Sequence, residues 1–157
     1  QRQMCIRDRV TTSGATWSPS KVSYTGNNRT HMIRVPDPGR FELRLMDGSS
    51  NPYLLQAGLI AAGIDGIENK RNPGKPVFVN MYEESHKVKD LKKLPLSINE
   101  SLDQLEKNIV LNKSFGKEVI KSYITLKNRE LKNYKDQEGS IKNDLITEWE
   151  KINTLDC

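Results

Sequence analysis

From residue 40 the chain alternates strictly: Arg40, Glu42 and Arg44 are charged, while Phe41, Leu43 and Leu45 are apolar. That period of two predicts a strand over 40–46 with an apolar row on one face and a charged row on the other. Lys21–Thr25 and Thr30–Val35 read as shorter strands. Pro36, Asp37, Pro38 and Gly39 supply a turn that folds the second of these antiparallel onto 40–46. The period then changes. Asn51 can cap free N–H groups and Pro52 suits the first helical position, which predicts a helix from there to about Ile67. Leu54, Leu55, Ala57, Leu59, Ile60, Ala61, Ala62 and Ile64 fall on every face of it, so it is expected to be buried all round. Gly66 and Asn72-Pro73-Gly74 end it.

Residues 75–95 carry no strong period. At Ser97 the sequence SINE forms a capping box, with Ile98, Leu102, Leu105 and Ile109 following at helical spacing. Two further helices are predicted. One runs from Lys117 to about Tyr134, with Val119, Ile120, Tyr123 and Leu126 on one side. The other runs from Ile141 to about Ile152, with Leu145 and Trp149 in line. These three amphipathic helices read as packing elements with no chemistry of their own. Antiparallel strands followed by a buried helix and three amphipathic helices predict the α+β class. The opening QRQMCIRDR has no periodicity or turn chemistry and looks like read-through of a sequencing adapter. Residues 1–9 are therefore set outside the fold, and residues 10–157 are expected to be one portion of a longer domain.

Composition narrows the classes. With 157 residues, 35% hydrophobic and 29% charged, the chain can build one core under a polar surface. The apolar run Tyr53–Ile67 is too short for a membrane span and contains Gln56 and Asp65. No secretory signal is visible, and Cys5 and Cys157 make neither a metal spacing nor a disulfide framework, so a cytoplasmic location is expected. The net charge of +5 raises a nucleic-acid partner. However, the excess is spread thinly, aromatics are 6%, and no run interleaves them with Arg or Lys. The densest patch, KVKDLKK at 87–93, reads as a solvated loop. The expectation is no nucleic acid and no membrane; a basic nucleic-acid-binding module is the rival outside the enzymes.

The candidate chemistry sits between positions 29 and 44, where Arg29, His31, Arg34, Arg40 and Arg44 gather with few acids. Arginine suits planar, bidentate recognition of phosphate or carboxylate, so the group is either a polyanion cradle or a basic exposed sheet face. Glu42, with Arg two residues away on each side, stays ionised. It is then an ion-pair partner or one hard-oxygen ligand for Mg²⁺ or Mn²⁺, other ligands coming from elsewhere. A lone His31 reads as structural. Asp47 and Asp65 read as terminating elements. No phosphate loop, nucleophile elbow, HExxH or Ser/Cys–His constellation is present.

The segments NNRTHMIRVP (27–36) and RFELRLMDGSSNPYLLQAGLIAAGIDGIENKRNPG (40–74) closely resemble the C-terminal part of the glutamine synthetase catalytic domain. The family pattern there is N-R-S-x-x-x-R-[IV]-P, then R-x-E-x-R-x-x-D-x-x-x-N-P-Y and a helix ending in a P-G turn. TTSGATWSP and TGNNRTHM are most similar to the type III glutamate–ammonia ligases. The resemblance implies that Glu42 ligates a divalent metal near the γ-phosphate and that Arg44 grips the α-carboxylate of glutamate. It implies that Arg29 stabilises the transferring phosphoryl group, and that Arg34 and Arg40 lie near the nucleotide phosphates. The implied activity is ATP-dependent formation of glutamine from glutamate and ammonia through a γ-glutamyl phosphate, with Mg²⁺ or Mn²⁺ and a homo-oligomeric ring. The implied alternative is a γ-glutamylmethylamide or γ-glutamyl–polyamine ligase. The missing N-terminal portion would carry the remaining metal ligands, so the chain alone is expected to be inactive.

Three details qualify the resemblance. Arg29 and Arg34 are five apart, so a regular strand would put them on opposite faces; both line one site only if TGNNR is a loop or a bulge intervenes. Trp17 occupies the position where members carry a flap glutamate that helps deprotonate ammonium, which leaves the acceptor amine open. Tyr82 sits where some members carry an adenylylated tyrosine, in flanking sequence of a different type.

Overall fold

The computed structural model describes residues 19–46, 50–139 and 147–154. Three short strands form one sheet in the order β1 (Tyr24–Thr25), β2 (Ile33–Asp37), β3 (Arg40–Leu43). The β2–β3 hairpin is antiparallel, as its turn chemistry requires. Pro38 and Gly39 are the two turn residues, and Gly39 has φ +79°, the value a type II turn needs at its third position. The register pairs Ile33 with Leu43 and Arg34 with Glu42, then slips by one residue to pair Asp37 with Arg40. That bulge absorbs the splay a type II turn imposes on a hairpin. β1 differs from the expected all-antiparallel order and pairs parallel to β2, Tyr24 with Ile33 and Thr25 with Arg34. The loop from Gly26 to Met32 is what lets the chain return in the same direction.

The helix α1 (Pro52–Glu68) begins as the sequence dictates, with Asn51 Oδ1 accepting from Tyr53 N at 3.1 Å and Leu54 N at 3.0 Å. The expectation that it is buried all round is corrected: none of its residues is buried. Among the described residues it packs chiefly against one partner, α3 (Ile109–Phe115), so its other apolar faces have nothing to lie on. Ile67 is 80% exposed.

The predicted helix from Ser97 is two helices, α2 (Ile98–Glu106) and α3. Ser97 Oγ accepts from Glu100 N at 3.0 Å, and Glu100 reaches back to Leu96 N at 2.9 Å. The break comes at Asn108, whose side chain accepts from Leu111 N at 2.9 Å and so starts a new helix. Asn112 Nδ2 then donates to the carbonyls of Leu105, Glu106 and Asn108, satisfying the end of α2. Ile109 consequently leaves the apolar stripe and is exposed. Gly116, at φ +84°, turns α3 into α4 (Lys117–Glu138).

The core lies between α2 and α4, where Ile98, Leu102 and Leu131 cluster with Tyr123 and Ile124 packed against them. On α4 the buried positions are Ile120, Lys127, Leu131 and Tyr134, whereas Val119 and Leu126 face outward. The Lys127 ammonium is tied to Glu130 at 2.6 Å and lies 5.8 Å from the Tyr123 ring centroid. α5 (Glu148–Thr154) overlaps the predicted range and docks Trp149 edge-on against Tyr134, with ring centroids 5.4 Å apart. Ile141 and Leu145 lie outside the described residues, as does Asp47. No described helix is long and apolar enough to cross a membrane.

Candidate active site

Pairing β2 with β3 puts Arg34 directly across from Glu42, and the period of the strand puts Arg40 and Arg44 on the same face. Three guanidiniums consequently surround one carboxylate. Arg34 Nη1 donates to Glu42 Oε1 at 2.8 Å and to Oε2 at 2.9 Å. Arg40 Nη2 donates to Oε1 at 3.1 Å, and Arg44 Nη1 stands 3.9 Å from Oε2. The hydrogen bonds and charges of Arg34 foremost, and of Arg40, hold the Glu42 carboxyl below the usual glutamate range against an opposing effect of burial.

The three arginines are not equivalent. Arg34 is 12% exposed and fully engaged, since Asn27 Oδ1 accepts from its Nε at 2.9 Å and from its Nη2. It is part of the wall. Arg40 is 61% exposed and holds Glu42 from the solvent side. Arg44 is 21% exposed and less tightly held, its Nη1 standing 3.9 Å from Glu42, while its Nε is buried with no hydrogen-bond partner among the described residues. The buried, unmatched Nε–H costs about 1–3 kcal/mol and faces the protein rather than solvent, so any free donor capacity toward solvent lies in the partly exposed Nη groups. Tyr82 is close enough for the Arg44 charge to be felt at its hydroxyl, whose pKa burial raises and Arg44 opposes.

Arg29 does not join this cluster. It sits in the loop between β1 and β2 and is exposed. The five-residue spacing to Arg34 is thus accommodated by a loop rather than by strand. The loop is fastened from beneath. His31 is completely buried, with Nε2 2.9 Å from Val79 O and Nδ1 3.0 Å from Ser23 Oγ. Asn28 Nδ2 donates to the same Val79 carbonyl at 3.3 Å, and Thr30 Oγ1 accepts from Met81 N at 3.0 Å. Asn28 Oδ1 in turn accepts from Thr30 N at 3.0 Å and from Thr30 Oγ1 at 2.8 Å.

A metal centre is not assembled by these residues alone. Among the described residues no group of three His, Cys, Asp or Glu side chains comes together. Glu42 offers one hard-oxygen donor, already held by arginines. Trp17 lies outside the described residues. The structure adds Asn27 and the Val79–Met81 segment, which the sequence reading did not single out. The adjacent Asn27 and Asn28 were the available signal, since asparagine side chains hydrogen-bond local backbone in turns.

The family profile described as "Glutamine synthetase, catalytic domain" matches residues 9–145. A curated glutamine synthetase from Rhizobium meliloti (strain 1021) is 49% identical over 146 residues, covering 93% of this chain and 32% of the relative. A glutamate–methylamine ligase from Methyloversatilis universalis is 45% identical over 125 residues, covering 78% of this chain and 28% of that protein. Among solved structures, a GmaS/ADP complex is 39% identical with a TM-score of 0.74 and covers 99% of this chain and 37% of its own. Ligand-free GmaS gives 38% and 0.72 over 99% of this chain and 35% of its own. The chain spans about a third of the length of the curated relatives it matches.

Proposed function

The chain belongs to the glutamine synthetase family, and on that premise we propose that it forms one wall of the active site of an ATP-dependent glutamate–ammonia ligase. The reaction read for the full-length enzyme is phosphorylation of the glutamate γ-carboxylate by ATP, then displacement of phosphate by ammonia to give glutamine. The observation that carries the reading is the row on β3. One ionised carboxylate is fixed by Arg34 and Arg40 beside Arg44, a partly exposed guanidinium held only at 3.9 Å from it.

Each residue then takes the task that the family resemblance implies for it, and its setting is compatible with that task. Arg44 takes the α-carboxylate of glutamate, supplying the planar fork that a carboxylate matches. Arg29, exposed on its loop, meets the transferring phosphoryl group, whose equatorial oxygens gain charge in the transition state. Arg34 and Arg40 carry positive charge toward the nucleotide phosphates while keeping Glu42 ionised. Glu42 supplies one oxygen toward Mg²⁺ or Mn²⁺, whose remaining ligands come from outside these residues; a bound divalent ion would neutralise phosphate charge there. A homo-oligomeric ring and a cytoplasmic setting are part of the same proposal.

A second reading keeps the chemistry and changes the acceptor to methylamine. It is favoured by the 45% identity to a glutamate–methylamine ligase. The experiment is phosphate release by the full-length enzyme with glutamate, ATP and either ammonium or methylamine. Higher kcat/KM with ammonium is expected; higher kcat/KM with methylamine would replace the glutamine reading by the second one. No release with either amine would remove both.

A further inference from the structure

We propose that His31, Thr30 and Asn28 are positioning residues for Arg29, which fix where its guanidinium stands without touching the substrate themselves. This rests on the reading that Arg29 meets the transferring phosphoryl group. Arg29 is flanked by Asn28 and Thr30, whose side chains both turn inward and bond to the 79–81 segment and to each other. The residue between them is thereby directed outward, and it is exposed.

His31 locks this arrangement chemically. The Val79 carbonyl can only accept, so His31 Nε2 must carry the hydrogen. Nδ1 is then a bare acceptor, and the Ser23 hydroxyl must donate to it. The ring is wholly buried, and burial lowers its pKa, which keeps it neutral and preserves that tautomer. The loop is consequently tied at one end to the start of β1 through Ser23 and along its length to Val79 and Met81. The Val79 carbonyl accepts from both Asn28 and His31, filling its two lone pairs. Losing one partner leaves buried polar groups unmatched and lets the loop shift. A displacement near 1 Å at a catalytic group can cost on the order of a hundredfold in rate.

The test is a double-mutant cycle in the full-length enzyme, reading kcat and KM separately. His31→Leu in the presence of Arg29 is expected to lower kcat about ten- to hundredfold while the KM for ATP changes less than about threefold. In an Arg29→Ala background the same substitution is expected to change kcat by less than about twofold, because the group it positions is gone. His31→Gln keeps an N–H donor toward Val79 and is expected to recover most of the loss. Thr30→Val removes one hydroxyl at nearly constant shape and runs the same cycle, so it decides the matter if His31→Leu does not fold. Equal losses in both backgrounds would overturn the positioning assignment while leaving the role of Arg29 intact. Unchanged kcat in Arg29→Ala alone would instead contradict the phosphoryl role of Arg29, and this assignment with it.

Discussion

The sheet side and the helical side of this chain solve opposite problems. Around β1–β3 most polar groups are matched locally and across distance, the Arg44 Nε aside: Arg34 lies between Asn27 and Glu42, and the Arg29 loop is bonded to residues 79–81. On the helical side the packing is concentrated in one small cluster between α2 and α4. α1, apolar on all faces, has no buried residue, and with α3 and α4 it frames an apolar cleft of about 500 Å³ lined by Leu54, Leu59, Leu111, Phe115 and Val119. Directional hydrogen bonds within this chain fix where the site residues stand. Non-directional apolar burial, which needs only area, is left incomplete. A site wall can therefore be well defined in a segment whose supporting helix still has apolar surface to cover.

The sharpest way to break this contrast is to remove the cation the polar side presents. Arg29→Ala in the full-length enzyme should lower kcat by roughly 10²–10³, the magnitude typical of losing one transition-state donor, with much smaller changes in KM. Steady-state kinetics decide it. On the helical side, Leu102→Ala should cost about 2–5 kcal/mol in denaturant unfolding, since Leu102 is buried in the α2–α4 cluster. Ile67→Ala at the exposed end of α1 should cost less than about 0.5 kcal/mol in this chain. A larger loss would show that α1 is covered after all.

The smallest expected effect concerns pH. Burial holds the folded-state pKa of His31 below its ordinary 6.5. Between those two values the unfolded chain binds more protons than the folded one. The contribution of His31 is thus complete above about 6.5 and is lost as the pH falls through the window below it. Unfolding midpoints measured from about pH 7.5 to pH 5 should decline on the acid side. His31→Gln should flatten that part of the decline.

Much of this architecture could be read in advance where the cause is local. Alternation from Arg40 predicted the charged row, Pro38-Gly39 the hairpin, Asn51-Pro52 the start of α1, and Ser97 the start of α2. What escaped reading depends on partners distant in sequence. The two-residue strand β1 pairs parallel only because of the loop that follows it. The Val79 carbonyl lies 48 positions from His31 and 51 from Asn28, and no period connects them. The break at Asn108 is an intermediate case: asparagine was visible there, but its competition with the helix backbone was masked by the apolar spacing through Ile109. α1 was read as buried from its composition, yet burial is set by what lies alongside. In the site, the Arg34–Glu42–Arg40–Arg44 grouping follows from alternation plus the turn, while its anchoring by Asn27 does not.

The central claim is that the β3 row is a substrate wall in which Arg44 recognises the carboxylate of glutamate. Arg44→Lys in the full-length enzyme tests it most directly, because lysine keeps the charge and loses the fork. The account predicts a KM for glutamate raised about tenfold or more, as expected for losing one charge-assisted hydrogen bond, with the KM for ATP within about twofold. Equal losses for glutamate and ATP would contradict it.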